Sequence, residues 1–542
     1  MSGLSTFIEQ RHKALVWLFF AVFLAVGAVV FKDYGISWDE PISRHGGGYA
    51  AMYAVHGDRA LFDDNERYHG PAFEMFLVGV ESILKLTDDP RATFLMRHLL
   101  TFLLFYAGVV FFYVLCRDHF RSWKIGLLGS LFLILSPRIF AHSFYNSKDI
   151  PFLAMFIISI YTLIRYLDNR TPYRASVHAL ANAFLIDIRI LGIIVPFFTA
   201  VFLAGDLLIT RSKKRKGEKI IPGFLVYTFL LVSFTILFWP VLWPDPVYHF
   251  KEAFRQMSAY PWRLTVLYLG EYIKATDLPW HYLPVWIVIS TPLLYTFFFI
   301  AGSLVSVKKL AMNPVRFYTT GRNDLIFLLW FFLPLGVVIA SGSVVYDAWR
   351  HMFFIYPAFL ILSLAGMIYL FNFIEAKFRH VSRRLMKAAF VVLTAFSLIY
   401  TARIMVEYHP YQNVYFNRLA GGNMKEIKKN FELDYWGLSY RQALEYILKN
   451  DGDRFVKIYV ANQPGRENAR ILPAADRKRL VYVDDPEEAE YFISNYRWHK
   501  DEYAFGEEYY SISIDGAKIM TVLKLPGHRV SHPEKTDPES SE

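Results

Sequence analysis

Cysteine is nearly absent: Cys116 stands alone in 542 residues, which excludes an internal disulfide framework. Lying in an apolar run, it reads as a small core residue. Charge is scarce as well, at 20% of residues against 54% hydrophobic ones. Runs such as 14–31, 152–164 and 224–238 are long and nearly charge-free, and a soluble domain cannot absorb many of them. No internal repeat or low-complexity tract is visible. No small-residue cleavage site follows the first run, so it reads as a retained span rather than a removed signal peptide. What remains is an α-helical polytopic membrane protein.

Eleven spans are expected, at about 14–31, 97–115, 125–139, 150–167, 176–187, 191–209, 222–240, 284–305, 325–341, 352–372 and 387–405. The net charge of +10 is carried by short loops between apolar runs, which is a topology signal and argues against nucleic acid as a partner. Basic clusters around 117–124, 165–174, 211–216, 308–322 and 377–387 all fall on alternate connections, the side shared with the N-terminus. That side is expected to be cytoplasmic, which places the C-terminal region outside. Asp187 and Arg189 interrupt the apolar stretch between the fifth and sixth spans, and such a break usually lines a cavity.

The outer connections are long. Residues 1–405 form the transmembrane part, with a first outer loop at 32–93 holding two amphipathic stretches, about 41–57 and 71–86, suited to helices in the interface plane. A second outer loop, 241–283, is rich in Trp, Tyr and Pro and holds a possible helix at 247–259. Residues 406–525 read as a small soluble α/β domain with a helix near 437–449, strands at 455–460, 479–483 and 490–495, and a hairpin around Asp515-Gly516. The polar tail 526–542 has the composition of a disordered segment.

The polar groups that call for a function map to the outer face. Asp39 and Glu40 lie in Tyr34-Gly-Ile-Ser-Trp-Asp-Glu-Pro41, just past the first span, and Lys148 and Asp149 precede the fourth. Carboxylates at a membrane surface are costly unless solvated, paired or used. Tyr68 and His69, Arg97, Arg138 and His142, Arg189, and Asp347, Arg350 and His351 join them on that face. Each has a plainer reading. Asp39 suits an N-cap, Lys148 a snorkelling lysine and Asp149 a cap, Arg97 and Arg350 headgroup anchors, and Arg189 a partner for Asp187. Independent anchors need not all fall on one face, and these do.

The chemistry that fits is sugar transfer from a lipid phosphate. Such a donor keeps its tail in the bilayer and presents an anionic phosphate at headgroup level. Arginines there bind the phosphate and stabilise the charge that grows as its bond to the sugar breaks. A carboxylate takes the proton of an acceptor hydroxyl. A divalent cation on Asp39, Glu40 and His69 is chemically compatible, though no ligand spacing compels one.

At these residues the chain resembles the dolichyl-phosphate-mannose–protein mannosyltransferase family and its bacterial relatives, including the lipid A aminoarabinose transferases. Asp39-Glu40, Tyr68-His-Gly-Pro71, Met96-Arg97, Ser136-Pro-Arg-Ile-Phe, Lys148-Asp149-Ile-Pro and Ile188-Arg-Ile-Leu-Gly192 carry the resemblance, over about 14–405. Gly70 stands where the family has the first proline of a Pro-Pro element. The resemblance implies the membrane C-type glycosyltransferase fold and a single inverting displacement. It implies Asp39 as base and Arg97 and Arg189 near the donor phosphate; the charges on the same face add Glu40 and Asp149 beside the base and Arg350 and Lys148 around the phosphate as expectations. Tyr68, His69 and His351 would then face the sugar or acceptor. The expected partners are a polyprenyl-phosphate-linked sugar, membrane lipids and a hydroxyl acceptor, and the expected setting is a bacterial inner membrane with a periplasmic site. The rival readings are a transporter or flippase of lipid-linked sugars, which predicts polar residues near mid-bilayer and two related halves, and a non-catalytic envelope scaffold.

Overall fold

The structure, a computed structural model, describes residues 11–209, 220–258, 260, 262–378 and 380–526. The basic loop 211–216 and the tail beyond residue 526 lie outside the described residues. Among the described residues, nine helices are long and apolar enough to cross a membrane. They run His12–Asp33, Pro90–Phe120, Asp149–Asp168, Ile190–Leu208, Ile220–Phe238, Leu293–Met312, Arg322–Ala340, Arg350–Lys377 and Ser382–Glu407. The protein is an integral membrane protein of helical class.

Three of the expected spans differ in form, the eighth opening as the short helix Tyr282–Ser290, breaking at Thr291-Pro292 and continuing as Leu293–Met312. The third is a bent pair, Trp123–Ile134 and Pro137–Tyr145, meeting at 70°, and it makes a tenth crossing if the pair is one span. The bend falls at Pro137, which lacks an N–H for the first helix and opens the second. The fifth is the helix Pro172–Ile186, whose 15 residues are too few for a full crossing. It is nonetheless packed inside. His178, fully buried, meets Thr162 at 2.8 Å and Thr199 at 2.9 Å, and Asn182 Nδ2 donates to Tyr227 at 2.8 Å. Polar groups can be buried there because each has a partner.

The connection between the first two spans carries the helices Asp39–His56 and Ala72–Ile83. The second of these buries Glu74 and Glu81, two turns apart and so on one face, together with Phe73 and Leu77, while Phe76 and Ile83 point outward. The connection 241–283 holds the expected helix, Pro246–Ser258, and an unexpected hairpin, Thr265–Tyr268 with Glu271–Lys274.

The C-terminal region builds a five-stranded sheet in the order Leu480–Tyr482, Val456–Val460, Tyr491–Ser494, Ala517–Lys524, Glu507–Ile514. The first three strands are parallel and the last two antiparallel. Asp515 and Gly516, at φ 45° and 78°, make the tight turn of the closing hairpin. The helix Tyr440–Asn450 packs on the sheet through Ala443, Leu444 and Ile447, the i, i+3/i+4 spacing of one face.

Candidate active site

The segment 34–40 enters the site between the membrane helices and the C-terminal domain. Gly35 is required there, because a Cβ would stand 2.4 Å from Asn468 Oδ1 and 2.5 Å from Leu438 O. Asn468 grips the next residue from both sides: Ile36 N donates to its Oδ1 at 2.9 Å and its Nδ2 donates to Ile36 O at 2.9 Å. The helix Asp39–His56 then begins with two acidic residues in its first turn, where the exposed N–H groups favour negative charge.

The two carboxylates of that turn diverge. Glu40 is buried, accepts the Ser37 N–H at 2.7 Å and lies 3.0 Å from His98 Nε2. Ser37-x-x-Glu40 is half of a capping box, a signal readable in the sequence; the serine hydroxyl donates instead to Tyr145 O at 3.0 Å. Glu40 therefore holds the turn. Asp39, with 29% of its side chain exposed, faces Arg350 Nη1 at 3.1 Å.

Arg350 is the hub. It is 2% exposed, and the same Nη1 lies 3.3 Å from Asp149 Oδ2 while Nη2 lies 3.3 Å from Asp347 Oδ2. Its guanidinium carbon is 4.9 Å from the Tyr346 ring centre and 4.8 Å from that of Trp436. Asp149 opens the helix Asp149–Asp168. Asn146 orients it, accepting its N–H at 2.8 Å and donating to Oδ2 at 2.9 Å. Arg189, from the break between Pro172–Ile186 and the next span, pairs with Asp149 Oδ1. The expected alternative pairing of Arg189 with Asp187 is not formed: the Asp187 carboxylate is buried with no hydrogen-bond partner among the described residues. Three aspartates and two arginines from four separate segments thus meet in one cluster.

Lys148 joins this cluster to a narrow cleft lined by Ser43, Glu66, Arg67, His69, Gly70 and Trp239 among others. Withdrawal from water pushes the Lys148 ammonium below the usual lysine range, against the charge of Asp39, which raises it. His69 Nδ1 lies 2.7 Å from Glu66 Oε2, and Tyr260 donates to Glu66 Oε1 at 2.9 Å. Burial alone would raise the Glu66 pKa, but the hydrogen bond and charge of His69 together with Lys148 bring it down to about 2. The His69 imidazole is pushed down by burial and by Lys148. Gly70 is explained by close approach: a Cβ would meet Asp187 O at 2.3 Å, and Ala72 N donates to that same oxygen at 3.0 Å.

Three readings of the sequence meet different surroundings in the structure. Arg97 lies in a separate buried knot, paired with Glu74 and, at 2.9 Å, with Glu81, rather than beside Arg350. Ser147 donates to Glu74, so this knot supports the turn that carries Lys148 and Asp149. Tyr68 points away from the cleft lining and bonds His249 Nδ1 at 3.0 Å. Asp39, Glu40 and His69 do not converge as a cation site, since each faces a different partner; among the described residues no group of three such side chains is placed to hold a metal ion. His351 stays beside the cluster, its ring 4.6 Å from that of Tyr346.

Glu74, Glu81, Trp436 and Arg497 were not anticipated. The first two lie in a stretch that reads as surface-amphipathic, and the other two are remote in sequence; only the stretch Asp434-Tyr-Trp-Gly-Leu-Ser439, distinctive in itself, offered a signal.

The architecture is that of a polytopic membrane protein whose helix ends and connecting loops enclose a charged cleft. No protein-family model matches the chain, and no curated protein sequence does. Among solved structures it is similar to ArnT from Cupriavidus metallidurans bound to undecaprenyl phosphate, at 13% identity and a TM-score of 0.48, over 94% of this chain and 98% of that one. It is similar as well to the apo state of the same protein, at 12% identity and a TM-score of 0.47, with the same coverage.

Proposed function

We propose that the protein is a membrane glycosyltransferase that moves a sugar from a polyprenyl-phosphate donor to a hydroxyl acceptor on a protein, lipid or polysaccharide. The observation that carries this reading is the shared Arg350: one buried guanidinium between Asp39, which reaches solvent, and Asp149, with Arg189 and Lys148 alongside. A site with three fixed cations at helix ends suits a phosphate at headgroup level. The carboxylates keep those cations in place before the anion arrives.

In the proposed step the acceptor oxygen attacks the anomeric carbon from the side opposite the phosphate. The bond from that carbon to the phosphate oxygen breaks, and polyprenyl phosphate leaves with the electron pair, so the configuration inverts. Asp39 takes the acceptor proton. Arg350 holds Asp39 in place until then, and Arg189 and Lys148 meet the charge left on the phosphate. His69 and His351 border the sugar or acceptor. The basic residues of the alternate loops support a cytoplasmic setting for that side, which would set the site on the outer face of the membrane, periplasmic if the source is a bacterium.

The test is mass analysis of envelope glycans, glycoproteins and glycolipids from cells with and without the gene. The reading expects one sugar missing from one acceptor class in the deletion strain, restored by the wild-type chain and not by the Asp39→Asn variant. An unchanged glycan inventory would refute it.

A further inference from the structure

The C-terminal domain does more than cover the membrane part. Its Arg497 reaches 2.8 Å from Asp347 Oδ1 with Nη2, on the aspartate whose other oxygen faces Arg350. The Arg497 guanidinium also packs against two indoles that meet edge to face, 4.8 Å from the Trp38 ring centre and 4.6 Å from that of Trp498, and Nη1 donates to Tyr435 O. Trp38 is the residue before Asp39. One side chain of the soluble domain therefore touches both the turn that presents Asp39 and the residue that holds Arg350.

Backbone strain collects at the same contact. Asp347 and Ala348 have φ of 55° and 64°, and Tyr496 and Trp498, flanking Arg497, have φ of 60° and 59°. Residues with a Cβ adopt such angles rarely, and persist in them where surrounding contacts over-determine the conformation. The Arg497–Asp347 pair is the contact that ties the two strained turns together.

We propose that Arg497 is a positioning residue of the transfer site, fixing Asp347 and the Trp38-Asp39 turn so that Arg350 is held between Asp39 and Asp149. The inference rests on the reading of that cluster as the phosphate site. It makes the soluble domain part of the site: without Arg497, Asp347 is free to draw Arg350 out of register, and the phosphate meets a misplaced cation.

The test uses the full-length protein in detergent and undecaprenyl phosphate as the probe, with binding followed by titration and folding by thermal unfolding. Wild type is expected to bind saturably. Arg497→Met, which keeps an unbranched side chain against the indoles, should bind about 10-fold more weakly with a similar melting temperature, and Arg497→Lys about 3-fold more weakly because charge returns without the planar fork. Asp347→Asn should lose about 10-fold, and the double variant Arg497→Met/Asp347→Asn no more than either alone, because the arginine acts through the aspartate. Unchanged binding in Arg497→Met, or additive losses of about 100-fold in the double variant, would overturn the proposal. Should Arg497→Met not fold, the Lys variant and its cycle with Asp347→Asn decide on the same terms. Absence of binding by wild type would instead remove the phosphate-site reading and this inference with it.

Discussion

Asp39 and Asp149, 110 positions apart in sequence, face the same nitrogen: Arg350 Nη1 is 3.1 Å from the first and 3.3 Å from the second. The three side chains come from the start of the helix Asp39–His56, the start of one span and the start of another. Removing one partner of a buried pair leaves the others uncompensated, at a cost of about 3–5 kcal/mol. Arg350→Met is therefore expected to lower the thermal midpoint of the purified protein markedly and abolish sugar transfer. Asp39→Asn, at the exposed end of the cluster, should leave the midpoint nearly unchanged. Equal midpoints for the Arg350→Met variant and wild type would contradict this picture of the hub.

Arg97 gives a contrasting expectation. Its partners are Glu74 and Glu81, both buried, with Arg44 on the second at 3.0 Å. Arg97→Met should destabilise the protein by about 3–5 kcal/mol. The fraction that remains folded should bind undecaprenyl phosphate with wild-type affinity. A loss of affinity in protein of normal stability would return Arg97 to the donor site.

The turn at Gly70 leaves no room for a side chain. Gly70→Ala pushes a methyl group against the Asp187 carbonyl, and forced overpacking of this kind costs about 1–3 kcal/mol. Because His69 precedes it in the cleft wall, transfer activity should fall along with stability. Wild-type values for both would show that the two segments part more easily than their contact implies.

Glu432, in the C-terminal domain, offers a pH test. Burial, with Asp347 adding to it and Arg497 opposing, raises its pKa from 4.5 to about 7. A carboxyl with a raised folded-state pKa contributes its full stability below about 4.5 and loses it as pH climbs through about 7. Lys428, Lys500 and Lys518 border the same pocket. Thermal midpoints of Glu432→Gln and wild type should nearly coincide at pH 5. At pH 8.5 the variant should be the more stable, by on the order of 3 kcal/mol at about 1.4 kcal/mol per pKa unit. A variant less stable than wild type at pH 8.5 would mean that the ionised carboxylate is the better-accommodated form.

How much of this was legible depended on range. Apolar runs located the membrane helices because burial in lipid is a local property of sequence, and the alternating pattern located the strands of the soluble domain. The breaks at Pro137 and Pro292 carried their own signal in proline, yet the bend angle depends on neighbours. Asp39, Asp149, Arg189 and Arg350 were readable as charges out of place in apolar surroundings, and the structure brings them together. Arg97 carried the same signal but has a different environment, because the helix Ala72–Ile83 turns its glutamates inward and its Phe76 and Ile83 outward. Amphipathic spacing gives a face and not its direction. Arg497 and Trp436 were out of reach for a simpler reason. A basic or aromatic residue in a soluble domain is ordinary until the chain folds it against a membrane-embedded arginine.

The central claim is that Asp39 is the base of a sugar transfer from a lipid phosphate. Its most direct test is turnover by wild type and Asp39→Asn in proteoliposomes supplied with a labelled polyprenyl-phosphate sugar and total envelope extract as acceptor. The account predicts label transfer by wild type and a loss of about 10²–10⁴-fold in the variant, with unfolding temperature and undecaprenyl phosphate binding retained. Undiminished turnover by Asp39→Asn would contradict it.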